Sequence, residues 1–202
     1  MRSDSKKKAL LNLAKKISSE LSCELKDSAK HLVFGKGSVD AEIFIIGEAP
    51  GKKEDESGLP FVGKSGKLLD DALDEAKISL DNIYIANILK YRPPKNRNPT
   101  KKEIQDHTPY LLEQISILKP KILVPLGNYA SKFILANCQV SEMKNISPIT
   151  DLRGTMQKIT INNEEFLVFP MFHPSATIYN RKLLEIFKQD FHTLKKQLNK
   201  LK

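Results

Sequence analysis

Short β-branched segments alternate along the chain with amphipathic segments of helical period, and this alternation most restricts how the chain can fold. Residues 41–46 (AEIFII), 82–89 (NIYIANIL) and 121–126 (KILVPL) have the length and composition of buried strands. A helix between two such strands returns the chain to the same end of a sheet, so that the strands pair in parallel. The sequence therefore predicts an α/β protein with a mostly parallel sheet covered by helices on both faces.

Local signals support several further elements. Thr100 and Glu103 form the Thr-x-x-Glu pattern of a capping box, which marks the start of a helix. An Asn-Asn pair at residues 162–163 separates two apolar segments and predicts a hairpin or two neighbouring strands. The predicted elements besides the three strands above are helices at residues 6–21, 63–76, 100–118, 128–136 and 182–201, and strands at residues 156–161 and 165–170.

Length and composition are those of a globular protein. The chain has 202 residues, 40% of them hydrophobic, so we expect one domain over residues 1–202 with a substantial core. It has 33 Lys and Arg against 24 Asp and Glu, which gives a net charge of +9. This charge indicates either a polyanionic partner such as nucleic acid or a lysine-rich surface without a specific partner.

Cysteine content and hydropathy bear on the cellular compartment. No apolar segment has the length of a transmembrane helix, and no apolar signal core follows the polar start of the chain. Cys23 and Cys138 allow at most one disulfide and no metal site built from cysteines alone. We therefore expect a protein of the reducing cytoplasm that makes no contact with membranes.

Polar groups stand where three of the predicted strands end. They are residues 47–51 (GEAPG), Asn87 near the end of the second strand, and residues 173–175 (HPS) after the last one. In open α/β sheets, ligands bind outside the carboxyl ends of the strands. We therefore expect these three groups to converge on one site.

Residues 47–66 (GEAPGKKEDESGLPFVGKSG) are rich in glycine, and their spacing matches neither a P-loop nor a dinucleotide fingerprint. Turns of this kind can present backbone N–H groups to an anion. Glu48 follows a buried strand and is either a functional carboxylate or a solvated loop residue. Phe61 lies between a proline and Val62-Gly63, and is either a stacking platform for a planar base or a core residue.

Asn87 and His173 are the other candidate functional side chains. The amide of a buried asparagine offers a donor and an acceptor, so Asn87 either binds the edge of a base or has a purely structural role. His173 precedes a proline, which favours an extended backbone that aims the side chain. Such a histidine can act as an acid, a hydrogen-bond donor or a metal ligand, although most single histidines do none of these.

These segments together resemble the uracil-DNA glycosylase superfamily, and specifically its family-four bacterial and archaeal enzymes. The resemblance covers about residues 22–198 in the order of the family, and four segments carry it: GEAPGKKEDESGLPFVGKSGKLL, NIYIANILKYRPPKNRNP, PYLLEQISILKPKILVPLG and HPSATIYN. It implies a three-layer α/β/α fold around a parallel four-stranded sheet. The implied activity is hydrolysis of the N-glycosidic bond of deoxyuridine in DNA, the first step of base excision repair.

The resemblance also implies roles for individual residues, because an enzyme that acts on a base must take it out of the stack. The flipped uracil would lie in a pocket with two catalytic groups, Glu48 and His173. Basic and hydroxyl side chains would hold phosphates, while Ile178 and Tyr179 would fill the gap left by the base. The implied uracil-binding residues are Gly47, Ala49, Phe61 and Asn87, and the implied DNA-binding residues are Lys64, Ser65, Arg153, Ser175, Ile178, Tyr179 and Arg181.

One departure from the family concerns its cofactor. Family-four enzymes hold a four-iron cluster with four cysteines, and the matching residues here are Glu20, Cys23, Tyr91 and His107. A single cysteine cannot hold such a cluster, so we expect no cofactor and expect packing to join the 91–99 loop to the N-terminal segment. A zinc ion held by Glu20, Cys23 and His107 is the alternative.

Three other functions remain open at this stage. The first is a module that binds uracil or abasic sites in DNA without turnover, although the segment YRPPKNRNP lacks the histidine through which some relatives crosslink to the abasic product. The second is a glycosylase for another deaminated base, such as hypoxanthine or xanthine. The third is a structural subunit that recruits replication proteins, which Glu48, Asn87 and His173 argue against. For the glycosylase we expect a monomer acting on single- or double-stranded DNA that contains deoxyuridine.

Overall fold

Six strands form one sheet in the computed structural model of the chain, which describes residues 2–201. They are β1 (Lys36–Gly37), β2 (Ile43–Gly47), β3 (Ile83–Asn87), β4 (Ile122–Pro125), β5 (Gln157–Ile161) and β6 (Glu164–Val168). Their order across the sheet is β1-β3-β2-β4-β6-β5. The four inner strands pair in parallel, which confirms the expected parallel four-stranded centre.

An antiparallel strand extends the sheet at each edge. Strand β5 pairs with β6 as the predicted hairpin, and the turn residues Asn162 and Asn163 have φ angles of +49° and +65°. Positive φ at both positions is what a two-residue hairpin turn of type I′ requires. Strand β1 pairs with β3 at the other edge and was not predicted, because two residues are too few to give a hydrophobic period.

Helices cover both faces of this sheet. They are α1 (Ser3–Glu20), α2 (Glu24–Ser28), α3 (Lys52–Ser57), α4 (Lys64–Glu75), α5 (Lys101–Leu118), α6 (Gly127–Leu135), α7 (Ile149–Leu152) and α8 (Arg181–Lys200). Helices α1, α5 and α6 pack on one face, and α4 and α8 pack on the other. The glycine-rich segment, expected to be a loop, contains the short helix α3. None of the helices in residues 2–201 is both long and apolar enough to cross a membrane.

Strand β2 shows how the sequence builds two cores on one sheet. Successive side chains of a strand point to opposite faces. Phe44 and Ile46 belong to the core beneath α1, α5 and α6. Ile43 and Ile45 belong to the core beneath α4 and α8. All four side chains are fully buried, which explains why this segment is continuously apolar rather than alternating.

The predicted capping box is present at the start of α5. The Thr100 hydroxyl accepts a hydrogen bond from the Glu103 backbone N–H at 3.2 Å, and the Thr100 backbone N–H donates to the Glu103 carboxylate at 2.8 Å. The Arg97 guanidinium also binds this carboxylate and lowers the pKa of Glu103 to about 2. The polar loop before α5 is therefore tied to the first turn of that helix.

A fully buried lysine lies beneath the end of β3. The Lys90 ammonium donates to the Asn87 backbone carbonyl at 2.7 Å and to the Gln114 side-chain oxygen at 2.5 Å. The Gln114 amide in turn donates to the Phe34 carbonyl at 3.1 Å. Burial lowers the pKa of Lys90 to about 7, because the charged form loses its hydration.

We expect Lys90 to make the stability of the protein depend on pH. Between about pH 7 and the ordinary lysine value of 10.5, the unfolded chain binds a proton at this amine that the folded chain does not. The free energy of unfolding should therefore rise with pH from about 7 to about 9, and Lys90→Met should abolish the rise. At higher pH the buried Cys138 thiol, whose pKa is raised from 9.0 to about 12, opposes it. Urea unfolding at a series of pH values measures both slopes.

Lys158→Met, at an exposed lysine of β5, is the matched control and should keep the wild-type slope. Equal slopes for wild type and Lys90→Met would contradict the prediction.

Candidate active site

A cleft of about 680 Å³ opens at the carboxyl ends of β2 and β3. Its walls come from the segment after β2, the start of α4, the loop after β3 and the segment that follows β6. The three strand-end groups expected to converge therefore lie on one cleft. The predicted site residues that line it are Glu48, Ala49, Phe61, Lys64, Ser65, Asn87, His173 and Ser175.

Gly47, the last residue of β2, lets two of these side chains approach the strand. It stands opposite Asn87 in the parallel register of β2 and β3. A Cβ atom at Gly47 would lie 2.2 Å from Asn87 Oδ1 and 2.8 Å from Phe61 Cζ, closer than side-chain atoms can approach. Only glycine therefore allows Asn87 and Phe61 to meet over the end of β2.

Phe61 forms one side of the cleft. The side chain is 6% exposed, and its ring centroid lies 5.8 Å from that of His173 with 37° between the ring planes. Its backbone has a φ of +51°, which phenylalanine rarely adopts. A Cβ at Gly66 would lie 2.1 Å from the Phe61 carbonyl oxygen, so glycine is required there as well. Phe61 thus packs on the core and also faces the cleft, so the interpretations of Phe61 as a core residue and as a stacking platform are compatible.

Asn87 offers an unused amide to the cleft. The residue is 2% exposed, and no group in residues 2–201 hydrogen-bonds its side chain, although its backbone carbonyl accepts from Lys90. A buried donor and acceptor without partners are costly unless a ligand satisfies them. The cleft therefore suits a planar ligand with a complementary acceptor and donor on one edge.

His173 is held as a neutral ring. The Ser175 backbone N–H donates to His173 Nδ1 at 3.2 Å, and the Ser175 hydroxyl lies 2.7 Å from the same nitrogen. Since Nδ1 accepts, the proton of the neutral ring is on Nε2. Burial lowers the pKa of His173 to about 4, and the negative charge of Glu54 opposes this only in part. At neutral pH, His173 is therefore an uncharged donor.

Gly127 is a site residue that the sequence analysis missed. It begins α6 directly after β4, has a φ of +85°, and lines the cleft. A Cβ at this position would lie 2.9 Å from the Cβ of His173. The sequence held a signal for this residue, because Gly127 follows the predicted strand at residues 121–126 just as Gly47 follows the one at residues 41–46. Four residues of the loop after β3 also line the cleft without having been predicted: Pro93, Asn96, Arg97 and Asn98.

Glu48 is a partly buried carboxylate that directly follows the end of β2 and lines the cleft. Burial raises its pKa, and no group in the described part of the chain hydrogen-bonds its side chain. Its backbone carbonyl accepts from the Leu89 N–H at 3.1 Å, which fixes the position of the residue. A positioned carboxylate without a protein partner can orient or deprotonate a water molecule.

Of the seven predicted DNA-binding residues, Ser175 lies beside His173 in the cleft, and the other six divide into three groups. Lys64 and Ser65 form the first turn of α4 at the cleft. Tyr179 is 93% exposed and follows the short 3₁₀ helix Pro174–Thr177, with Arg181 exposed nearby and Ile178 half-buried. Arg153 lies outside the lining of the cleft, as do Ile178, Tyr179 and Arg181.

Arg153 is occupied by an internal ion pair. Its Nε donates to Asp190 Oδ2 at 2.8 Å, its Nη2 binds the other oxygen of the same carboxylate, and its guanidinium lies 5.7 Å from the Phe172 ring centroid. The Asp190 carboxylate is buried, so breaking this pair would leave a buried charge without its partner. Arg153 therefore supports the segment that carries His173 rather than offering a free cation.

The residues at the family's cluster positions do not fit an iron–sulfur cluster. Cys23 is the one thiol among them, while Tyr91 and His107 are buried with their ring centroids 6.3 Å apart. His107 Nδ1 lies 2.7 Å from the Glu103 carbonyl oxygen, and its buried Nε2 has no partner. Within residues 2–201, no group of three or more His, Cys, Asp or Glu is placed to hold a metal ion, so the zinc site considered above is not assembled.

The fold and the cleft are suited to a planar, hydrogen-bonding ligand at the carboxyl end of a parallel sheet. A sequence model of the uracil DNA glycosylase superfamily matches residues 34–201, and the chain belongs to this superfamily. Three relatives are each named type-4 uracil-DNA glycosylase. That of Sulfurisphaera tokodaii is 40% identical over 86% of this chain and 77% of its own length. Those of Saccharolobus solfataricus and Archaeoglobus fulgidus are 37% and 36% identical over 88% and 91% of this chain and 81% and 90% of their own.

The state of His173 can be measured without assuming an activity. Nitrogen-15 NMR of the imidazole groups should show one histidine with its proton on Nε2 and a pKa of about 4. His173→Gln should remove that signal and so assign it. Ser175→Ala should retain the same tautomer, because the donating backbone N–H remains. A His173 that titrates near the ordinary value of 6.5 would contradict the prediction.

Proposed function

We propose that the protein is a uracil-DNA glycosylase that hydrolyses the N-glycosidic bond of deoxyuridine in DNA and so initiates base excision repair. The observation that carries this proposal is the unpaired amide of Asn87 in the cleft, beside Phe61 and the neutral donor of His173. The names of the relatives support the same activity. The proposed enzyme works without an iron–sulfur cluster, since three of the four matching positions lack cysteine.

Recognition of uracil rests on Asn87 and Phe61. The Asn87 amide would accept from N3–H and donate to O4 of uracil, while the Phe61 ring stacks on the base. Cytosine presents the opposite pattern at this edge, so it would leave buried polar groups unpaired. Gly47 and Ala49 would complete the pocket with their backbone.

Cleavage rests on His173 and Glu48. The bond between C1′ of the sugar and N1 of uracil breaks, and its electron pair leaves with the base. His173 Nε2–H would donate to uracil O2, where the negative charge develops. Glu48 would favour the cationic sugar, orient the water whose oxygen bonds to C1′, and accept the proton that this water loses. No covalent intermediate with the enzyme is needed.

Binding of DNA rests on the positive and apolar groups around the cleft. Lys64, Ser65 and the exposed Arg181 would hold phosphates, as would Ser175, which lies beside His173 at the cleft. The exposed ring of Tyr179, with Ile178, would enter the space left by the flipped base. Since one chain supplies every group of the cleft, we propose a monomer. The free thiols of Cys23 and Cys138 support a cytoplasmic location.

An excision assay on an oligonucleotide with one deoxyuridine tests this function. The wild type should release uracil with a chelator present and leave thymine, cytosine and hypoxanthine controls intact. His173→Ala should slow cleavage roughly 10²–10³-fold with DNA binding largely kept, because one donor to the developing anion is lost. Asn87→Asp should lose activity or discrimination between uracil and cytosine.

Other outcomes of this assay point to other functions. Selective retention of the uracil strand without cleavage would indicate a binding module. Wild-type rates in both variants would contradict the site assignment. Release of hypoxanthine in preference to uracil would indicate a glycosylase for that base.

Gly47→Ala tests the geometry of the pocket separately from its chemistry. The new methyl group would lie where the Asn87 amide and the Phe61 ring now meet. The rate of excision should therefore fall more than in Lys64→Ala or Ser65→Ala, which each remove one group at the edge of the cleft. Binding to undamaged DNA serves as the control and should change little. Thermal unfolding checks that the variant is folded, and its midpoint should fall because the new methyl group overpacks two buried side chains. Wild-type excision by Gly47→Ala would show that the two side chains do not act from the positions described.

A further inference from the structure

The backbone at Phe61 is strained and must be held by its surroundings. A φ of +51° is uncommon for any residue other than glycine, and asparagine or aspartate adopts it more readily than phenylalanine. The position of the ring depends on this conformation, because the backbone angles of Phe61 set the direction in which its Cα–Cβ bond points. Whatever fixes the following peptide group therefore also fixes the ring in the cleft.

Glu54 binds the turn from one side. Its Oε1 accepts from the backbone N–H groups of Val62 and Gly63, both at 2.9 Å. Two glycines leave room for this carboxylate, since a Cβ at Gly51 would lie 2.8 Å from Glu54 Oε2 and one at Gly63 would lie 3.3 Å from Oε1. Hydrogen bonds of this kind, with one charged partner, are stronger than those between neutral groups.

Lys36 binds the same turn from the other side. This residue belongs to the edge strand β1, and its ammonium donates to the Phe61 carbonyl at 3.1 Å. The Phe61 carbonyl and the Val62 N–H are the two ends of one peptide group. Rotation of that peptide group would therefore break the bonds to Lys36 and to Glu54 at once.

We propose that Lys36 and Glu54 are positioning residues that lock the Phe61–Val62 peptide group and so hold the aromatic ring against the base. This inference rests on the proposed function, in which Phe61 stacks on uracil. Because neither residue acts on the bond that breaks, their loss should weaken uracil binding far more than it slows cleavage of bound substrate.

The test compares base affinity with cleavage in four variants. Glu54→Ala removes the hydrogen bonds to the Val62 and Gly63 N–H groups, and Lys36→Met removes the one to the Phe61 carbonyl. Glu54→Gln keeps an acceptor at the same position. Glu56→Gln is a control at an exposed carboxylate on the same helix. Free uracil, used as a competitive inhibitor, reports base affinity, and single-turnover excision at saturating enzyme reports cleavage. Binding to the same oligonucleotide with thymine reports DNA affinity.

We expect Glu54→Ala to raise the inhibition constant of uracil and the half-saturating DNA concentration about tenfold, with cleavage at saturation changed less than about threefold. Glu54→Gln should restore part of the affinity. Lys36→Met should weaken affinity in the same direction. The double variant should lose less than the sum of the two, because both residues hold one peptide group. Binding to the thymine oligonucleotide should not change.

Three results would overturn the proposal: base affinity in Glu54→Ala equal to that in Glu56→Gln, a loss confined to cleavage, or an equal loss of binding to the thymine oligonucleotide. If Glu54→Ala does not fold, Lys36→Met and Glu54→Gln carry the same comparison. Absence of excision by the wild type would refute the proposed function and this inference together. Excision by the wild type with unchanged variants would refute this inference alone.

Discussion

The close contact of Gly47 with Asn87 and Phe61 is the constraint on which the site depends. The parallel register of β2 and β3 places Gly47 and Asn87 side by side, and the missing side chain at Gly47 leaves the space that the other two share. Gly127 repeats the arrangement one strand away, where it admits His173. A glycine at the end of β2 and another at the start of α6 thus bring an amide, an aromatic ring and an imidazole from distant parts of the sequence into one cleft.

Much of this arrangement follows from local patterns in the sequence. Hydrophobic periodicity predicted the inner strands and the long helices. Polar residues at the strand ends indicated Glu48, Asn87 and His173, because ligand sites in parallel sheets form there. Contacts between distant segments could not be derived in this way. No local pattern connects β1 with the Phe61 turn or Arg153 with Asp190, since each partner is chosen by the tertiary packing.

The region of the family's cluster shows apolar packing in place of metal ligation. Leu21 and Leu25, on either side of Cys23, are buried in the core beneath α1 and α5. Tyr91 and His107 meet edge to face nearby, which packs the start of the 91–99 loop on α5. This packing leaves the buried His107 Nε2 without a hydrogen-bond partner, which lowers the stability of the folded protein.

The two outer strands of the sheet bear on how the protein behaves at high concentration. An open sheet edge is a template for pairing with another chain, and the risk grows with its length and flatness. Strand β1 is two residues long, and the outer strand β5 carries the charged Lys158 on its exposed side. The β1 edge therefore presents little backbone to a neighbouring molecule, and at the β5 edge the charge of Lys158 opposes pairing with the strand of another chain.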